Sequence, residues 1–134
     1  MPQATWNDQL TTGIELIDAQ HRELFAAVAR LGAHLGGALP EAQLAEELAD
    51  LAQATTRHFH TEETLLKAAG FPTRIAHADQ HRDLLLKVRE LQYLQAKGQG
   101  LPEGLDRFLA EWFDHHIREV DQDSARYLRA QAGH

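Results

Sequence analysis

Residues 44–65 read LAEELADLAQATTRHFHTEETL, and this stretch decides the fold. Its leucines recur every three or four positions, which is the period of an amphipathic α-helix and not of a β-strand. A histidine and a carboxylate, His58 and Glu62, continue the same stripe at positions where further core residues are expected. Because burial of such groups is costly unless something binds them, this stretch indicates a helix with a binding site in its core.

Short clusters of glycine and proline divide the chain into four long segments. The segments favour helix because they are rich in Ala, Leu, Glu, Gln and Arg and show no strand-like alternation. We predict helices at about 19–37, 41–68, 73–97 and 103–131. Asp18 is the predicted N-cap of the first helix, and residues 1–17 form an N-terminal arm that Trp6 and Ile14 fold back over the bundle. The connections are short, so the predicted fold is all-α, a single domain over residues 1–134 forming an antiparallel up-down-up-down four-helix bundle.

The composition limits the classes of function. A length of 134 residues with 43% hydrophobic and 25% charged residues fits one soluble globular domain. The longest apolar run is too short to cross a bilayer and the N-terminus lacks a secretory pattern, so we expect a cytoplasmic protein without membrane insertion. The formal charge of −7 argues against a nucleic-acid partner, and the lack of cysteine means that any metal must have nitrogen and oxygen ligands.

Nine histidines are the unusual feature of this chain. The helical stripes predict that five of them point inward, namely His21, His58, His77, His81 and His116. In an antiparallel bundle these five and Glu62 all lie towards one end, where unpaired burial would cost several kcal/mol. A metal centre is the simplest compensation. We expect the remaining four on the solvated surface: His34, His60, His115 and His134.

The metal itself stays open at this point, because nitrogen ligands with carboxylates suit iron, manganese, zinc or copper. Five histidines exceed one closed tetrahedral zinc site. The third helix reads His77-Ala-Asp-Gln-His81 and therefore lacks the glutamate of the zinc-protease pattern. The E-x-x-H pairs of ferritin-like di-iron carboxylate proteins are absent as well.

Taken together, four motifs resemble the hemerythrin family, specifically its single-domain bacterial members. They are GIELIDAQH at 13–21, HFHTEE at 58–63, HADQH at 77–81 and WFDHHIREVD at 112–121, with Trp6 ahead of them. Their order and spacing cover nearly the whole chain, which makes the resemblance specific. It implies reversible dioxygen binding at a non-haem, oxo- or hydroxo-bridged di-iron centre, for oxygen storage, buffering or delivery and without enzymatic turnover.

The resemblance also implies a set of ligands. One iron is expected to have His77, His81 and His116, the other His21 and His58, with Glu62 and Asp121 bridging the two irons. With the bridging group counted, one position stays open on the two-histidine iron for dioxygen. Candidate residues for the wall of the dioxygen pocket are Phe25, Phe59, Leu84, Trp112, Phe113 and Ile117. The family often has leucine at the position of Phe113, so we expect this bulkier ring to narrow the pocket.

One spacing conflicts with an ideal helix. Asp121 follows His116 by five residues, which is roughly 140° around an α-helix, whereas His115 and Glu119 are one turn apart. Spacing alone therefore favours the pair of His115 and Glu119. The apolar stripe contains His116 and leaves His115 on its flank, and the resemblance also favours His116 with Asp121.

Three functions remain to be compared. Besides oxygen binding, the same centre could reduce peroxide, oxygen or nitric oxide as a di-iron peroxidase or oxidase, given an electron donor. It could also sense oxygen, redox state or nitric oxide and act through a partner protein. For the oxygen-binding function we expect a monomer whose partners are dioxygen and an oxygen-consuming enzyme or a reductant.

Overall fold

A bundle of antiparallel helices forms the molecule, as the computed structural model shows for residues 8–35 and 41–132. A short 3-10 turn, Asp8–Leu10, precedes the first helix. The long helices are α1 (Glu15–Ala33), α2 (Glu41–Ala69) and α3 (Arg74–Ala96), and the fourth segment comprises α4 (Leu105–His116), a π turn (Ile117–Asp121) and α5 (Gln122–Ala132). Helix α1 packs on α2 and α4, and α2 also packs on α3 and α5. The predicted four-helix bundle is therefore confirmed.

The core consists of the apolar stripes of the four segments. Its fully buried side chains include Leu24, Leu31, Leu48, Leu51, Leu84, Leu91, Leu105 and Leu109. These residues recur at three- and four-residue steps within each helix, so each helix buries one face. In α2 the last buried leucine is Leu66, whereas Leu65, the last leucine of the quoted stretch, is only half-buried. Within the described ranges, no helix is long and apolar enough to cross a membrane.

The predicted start of the first helix was wrong. The helix begins at Glu15 with Ile14 as its N-cap residue, so Asp18 lies in the first turn and does not cap the helix. The carboxylate of Asp18 instead accepts hydrogen bonds from the backbone N–H and the hydroxyl of Thr12, both at 2.8 Å, and from Gly13 N–H at 3.2 Å. Gly13 has a φ of +86°, which lets the chain turn sharply into the helix. Asp18 therefore fixes the preceding arm.

The arm itself packs against the end of the chain. Leu10 is fully buried in the core, and Gln122 in α5 donates hydrogen bonds to the carbonyl oxygens of Leu10 and Thr11 at 3.1 Å. Arg129 also contacts the Thr12 carbonyl. Ile14 is half-buried, and Trp6 lies outside the described residues. The arm ends at residue 14, three residues earlier than predicted.

The fourth segment is not one regular helix over 103–131. It starts at Leu105, after Gly104 with a φ of +75°, and its middle is the π turn Ile117–Asp121. A hydrogen bond from the backbone N–H of Gln122 to the carbonyl of Ile117 shows the five-residue repeat of this turn. The regular α-helical part of α1 ends at Ala33 and residues 34–35 are π-helical, while the predicted end at residue 37 lies outside the described residues.

Candidate metal centre

All seven predicted metal ligands lie together in the interior at one end of the bundle, and each side chain is buried. Helix α1 supplies His21, α2 supplies His58 and Glu62, α3 supplies His77 and His81, and α4 with the π turn supplies His116 and Asp121. The ligand atoms form two groups that share both carboxylates. The first contains His77, His81 and His116, and the second contains His21 and His58.

In the first group, three imidazole nitrogens converge on two carboxylate oxygens. The Nε2 atom of His77 lies 2.6 Å from Glu62 Oε1 and 2.9 Å from Asp121 Oδ1. The Nε2 atoms of His81 and His116 are 3.1 Å apart, and they lie 3.3 Å from Glu62 Oε1 and 3.1 Å from Asp121 Oδ1, respectively. One oxygen of each carboxylate therefore faces the three-histidine group.

The second group uses the other oxygen of each carboxylate. The Nε2 atoms of His21 and His58 are 3.0 Å apart. Asp121 Oδ2 lies 3.0 Å from His21 Nε2, and Glu62 Oε2 lies 3.6 Å from His58 Nε2. Each carboxylate thus spans the two histidine groups, which is the arrangement that bridging ligands of a two-metal site require.

Three observations show that this donor set fits a pair of metal ions. Two nitrogen ligands about 2.1 Å from one ion and at a right angle to each other are about 3.0 Å apart, which matches the separations between Nε2 atoms. Both oxygens of Glu62 and Oδ2 of Asp121 are buried and accept no hydrogen bond of regular geometry, although histidine nitrogens lie within ion-pair distance. The donors are imidazole and carboxylate, which suit iron, manganese and zinc.

Side chains outside the cluster fix the tautomers of three of these histidines. The Nδ1 atoms of His58 and His116 donate hydrogen bonds to the amide oxygens of Gln20 and Gln80, both at 3.0 Å. His81 Nδ1 donates to a carboxylate oxygen of Glu63 at 2.8 Å. Since the acceptors leave the proton on Nδ1, the Nε2 lone pairs remain available for a metal.

Aromatic rings stack on two of the imidazoles. Phe59 stacks on His81 with ring centroids 3.8 Å apart and planes within 1°, and Trp112 stacks on His116 at 4.6 Å and 14°. Of the predicted pocket residues, Phe25, Phe59, Phe113 and Ile117 are buried and Trp112 is half-buried. Leu84 is also buried. Two of these residues therefore orient candidate ligands, a role that their spacing alone did not predict.

The surroundings of the cluster shift the pKa values of its histidines in opposite directions. Burial lowers the pKa of His58 to about 4, so this imidazole is neutral and ready to act as a ligand. Burial also acts to lower the pKa of His77, but contacts with Asp121 and Glu62 outweigh it and raise the value to about 9. The pKa of His81 is raised in the same way, against burial, by Glu62 and Glu63.

The pKa values of the two carboxylates, Glu62 and Asp121, are lowered by the neighbouring histidines. Burial raises the pKa of Asp121, but contacts with His116, His21 and His77 outweigh burial and hold it well below its usual range. The pKa of Glu62 is also lowered, because contacts with His77 and His81 outweigh both burial and repulsion from Asp121. In the metal-free chain, protons on the histidines therefore neutralise carboxylates that a metal pair would otherwise neutralise.

The π turn resolves the conflict over the spacing of the fourth segment. Because residues five apart lie on the same face of a π-helix, His116 and Asp121 both point into the cluster. His115 and Glu119, the one-turn pair of an ideal helix, are exposed. An α-helical period cannot predict this, since it assumes 3.6 residues per turn throughout.

Sequence reasoning also misjudged or missed several side chains. His34 is buried and not on the surface, because it lies three residues after Leu31 and seven after Ala27 on the buried face of α1. His60 and His115 are exposed as predicted, and His134 lies outside the described residues. Sequence reasoning also missed the hydrogen-bond partners of three histidines, which are Gln20, Gln80 and Glu63. Each partner is adjacent in sequence to a predicted ligand, and its side chain reaches a histidine on a neighbouring helix.

Comparison with known proteins gives consistent matches along most of the chain. The family model described as "Hemerythrin HHE cation binding domain" matches residues 12–128. A bacteriohemerythrin of Pseudomonas aeruginosa (strain LESB58) is 32% identical over 97% of this chain and 82% of its own length. A bacteriohemerythrin of Stenotrophomonas maltophilia is 31% identical, over 93% of this chain and 81% of its own. A wild-type hemerythrin crystal structure superposes with a TM-score of 0.85 at 25% identity, covering 92% of this chain and 96% of that chain.

Proposed function

Since this chain belongs to the hemerythrin family, we propose that it binds dioxygen reversibly at a di-iron centre and acts in oxygen storage, buffering or delivery. The observation that carries the proposal is the geometry of Glu62 and Asp121. Each of these two buried carboxylates directs one oxygen to a three-histidine group and the other to a two-histidine group.

We assign the two iron positions accordingly. His77, His81 and His116 would hold one iron, His21 and His58 would hold the other, and Glu62 and Asp121 would offer one oxygen to each. The second position has one histidine fewer than the first, so in an oxo- or hydroxo-bridged pair it would leave a place for dioxygen. When bound, a ferrous pair supplies the two electrons that dioxygen takes up on binding and returns on release.

The protein's own contribution is positioning and exclusion of water. Gln20, Gln80 and Glu63 fix three imidazoles with their Nε2 atoms inward. Phe25, Phe113 and Ile117 are the apolar side chains that we assign to the pocket, together with Phe59 and Trp112. A dry lining prolongs the oxygenated state, because water assists the loss of reduced oxygen species. The ring of Phe113 packs with Phe25 at 6.3 Å and so reduces the space available there.

The proposal extends to the cellular setting. We propose a cytoplasmic monomer that binds dioxygen itself and exchanges it with an oxygen-consuming enzyme, or is kept reduced by a reductant. We also propose that it is an oxygen carrier and not an enzyme. The formal charge of −7 disfavours nucleic acid and anionic membrane surfaces as partners.

Cycling between reduced and oxygenated forms tests the function. The purified protein is loaded with iron, reduced anaerobically and exposed to air while the visible spectrum and iron content are recorded. We expect an oxygen-dependent charge-transfer band at two irons per chain that disappears on deoxygenation and returns on a second cycle. A band that forms once and decays while reductant is consumed would instead support the peroxidase, oxidase or sensor functions.

Two neighbouring histidines provide a matched pair of variants. His116→Ala removes a buried candidate ligand, whereas His115→Ala removes an exposed histidine one position earlier. We expect the His116 variant to lose the band and at least one iron, and the His115 variant to behave like the unmodified chain. Equal behaviour of the two variants would contradict the ligand assignment.

A further inference from the structure

The two iron positions differ in more than their number of histidines. Of His58, His81 and His116, whose Nδ1 atoms each donate to a side-chain oxygen, His81 alone meets a carboxylate. The other two meet the neutral amides of Gln20 and Gln80. The bond to Glu63 is also the shortest of the three, at 2.8 Å against 3.0 Å.

His81 and His116 form a matched pair, which isolates the effect of this charge. Both are buried, both lie in the three-histidine group, and both have one aromatic ring stacked on the imidazole. They differ in the hydrogen-bond acceptor, which is a carboxylate for His81 and an amide for His116. Glu63 and Gln80 are close in length, so geometry is nearly equal while charge is not.

Glu63 forms its ion pair with His81 and not with the nearby Arg82. Glu63 and Arg82 line the same shallow surface pocket between α2 and α3, whose inner wall reaches His81. Arg82 pairs with Asp79 at 2.7 Å, whereas the ion pair of Glu63 is with His81. The side chain of Glu63 is 39% exposed, so solvent weakens its long-range field and the direct hydrogen bond carries most of its effect.

We propose that Glu63 is a positioning residue that makes the two iron positions electronically unequal. By accepting the hydrogen bond from His81 Nδ1–H, its carboxylate increases the donor strength of that imidazole towards the three-histidine iron. A stronger donor stabilises the ferric over the ferrous state at that position. The reduction potential there is therefore lower than an amide acceptor would give. This inference rests on the proposed function.

Charge-changing variants that keep the hydrogen bond test the proposal. Glu63→Gln makes the surroundings of His81 like those of His116, and Gln80→Glu does the reverse. In the iron-loaded protein we expect Glu63→Gln to shift the ferric/ferrous equilibrium about tenfold towards ferrous iron, which is about +59 mV for a one-electron couple. Gln80→Glu should shift it in the opposite direction. The measurement is a spectroelectrochemical titration under nitrogen, so no oxygen binding is involved.

Asp83→Asn is the matched control, because Asp83 is exposed and its substitution removes one negative charge two residues from His81 while Arg82 keeps its ion pair with Asp79. We expect a shift of less than about a third of that in Glu63→Gln. Equal shifts in both variants, or none in Glu63→Gln at full iron content, would overturn the proposal. If the unmodified chain itself bound no iron pair, the proposed function would fail first, so the two failures are distinguishable.

Discussion

The hydroxyl of Thr55 is fully buried and has no hydrogen-bond partner in the described part of the chain. It lies one turn before His58 on the inward face of α2. Removing an unsatisfied buried hydroxyl while keeping the side-chain shape is expected to stabilise the fold. We therefore expect Thr55→Val to raise the free energy of unfolding of the metal-free protein by about 1 kcal/mol in urea titrations.

The next residue gives the control. Thr56 is exposed, and its hydroxyl donates to the carbonyl of Ala52 at 2.8 Å. Thr56→Val should therefore bring no comparable gain. A loss of stability in Thr55→Val would mean that its hydroxyl has a partner in solution, such as an ordered water next to the metal centre.

For single residues, the sequence predicts which side chains are buried better than it predicts which side chains contact one another. The stripes placed five histidines inside, and all five are buried. They failed for His34, which is buried on the same face as Ala27 and Leu31, and for Asp18, which fixes the arm instead of capping a helix. Partners such as Glu63 depend on how two helices are rotated against each other, and no repeat within one helix encodes that rotation.

At the level of elements, the π turn is the feature that an α-helical period could not predict. It holds one residue more than an α-helical turn, so His116 and Asp121 meet across five positions. Deletion of the exposed Glu119 would leave four positions between them, the repeat of an α-helix. We expect this deletion variant to keep its helical content and two irons per chain, measured by circular dichroism and metal analysis.

A deletion in a regular helix serves as the comparison. Glu111 is exposed and lies in α4, where no extra residue can absorb the loss. Its deletion rotates the preceding part of α4 by about 100° relative to His116, which turns the buried Leu105 and Leu109 away from the core. That variant should unfold at a clearly lower temperature. If deletion of Glu119 were the more damaging of the two, the π turn would have a role beyond alignment.

Helices α1 and α4 approach each other closely at Gly32 and Asp106. A Cβ atom added at Gly32 would lie 2.9 Å from Asp106 Oδ2 and 3.2 Å from Asp106 Cβ. Alanine favours helix over glycine by up to about 1 kcal/mol, but in Gly32→Ala the contact with Asp106 offsets that gain. In an Asp106→Ala background the gain should reappear.

The coupling between the two sites is measured by a double-mutant cycle in urea unfolding. We expect Gly32→Ala to be more favourable by about 1 kcal/mol when Asp106 is replaced than when it is present. Additive effects within about 0.3 kcal/mol would show that the Asp106 side chain moves aside without cost.

For the molecule as a whole, most of the architecture follows from the sequence, because long helices joined by short turns permit few arrangements. The predicted helices 41–68 and 73–97 agree with α2 and α3 to within one residue at each end. The family, the all-α class and the bundle topology are confirmed by the matches and the structure. The prediction was less accurate for the first helix, which begins at Glu15 just after the turn at Gly13, and for the fourth segment, which the π turn interrupts.

The charge state of the cluster links metal binding to the stability of the entire fold. In the metal-free chain, the raised pKa of His77, about 9 against an ordinary 6.5, contributes stability that is present below pH 6.5 and lost as the pH rises towards 9. The lowered pKa of His58, about 4, contributes stability that is lost as the pH falls from 6.5 towards 4. The metal-free protein should therefore have its highest melting temperature near pH 6.5.

Bound metal should oppose the loss of stability that the metal-free protein undergoes above pH 6.5. Histidine ligands must be deprotonated, so protons compete with the metal less as the pH rises. The difference in melting temperature between the metal-loaded and metal-free protein should therefore grow from pH 6.5 to 9, and loading at pH 7 should release protons into a weakly buffered solution. Differential scanning calorimetry of both forms at each pH measures the difference, with His115→Ala as a control that removes an exposed histidine only. A difference that stayed constant across this range would mean that His77 is not protonated in the metal-free fold.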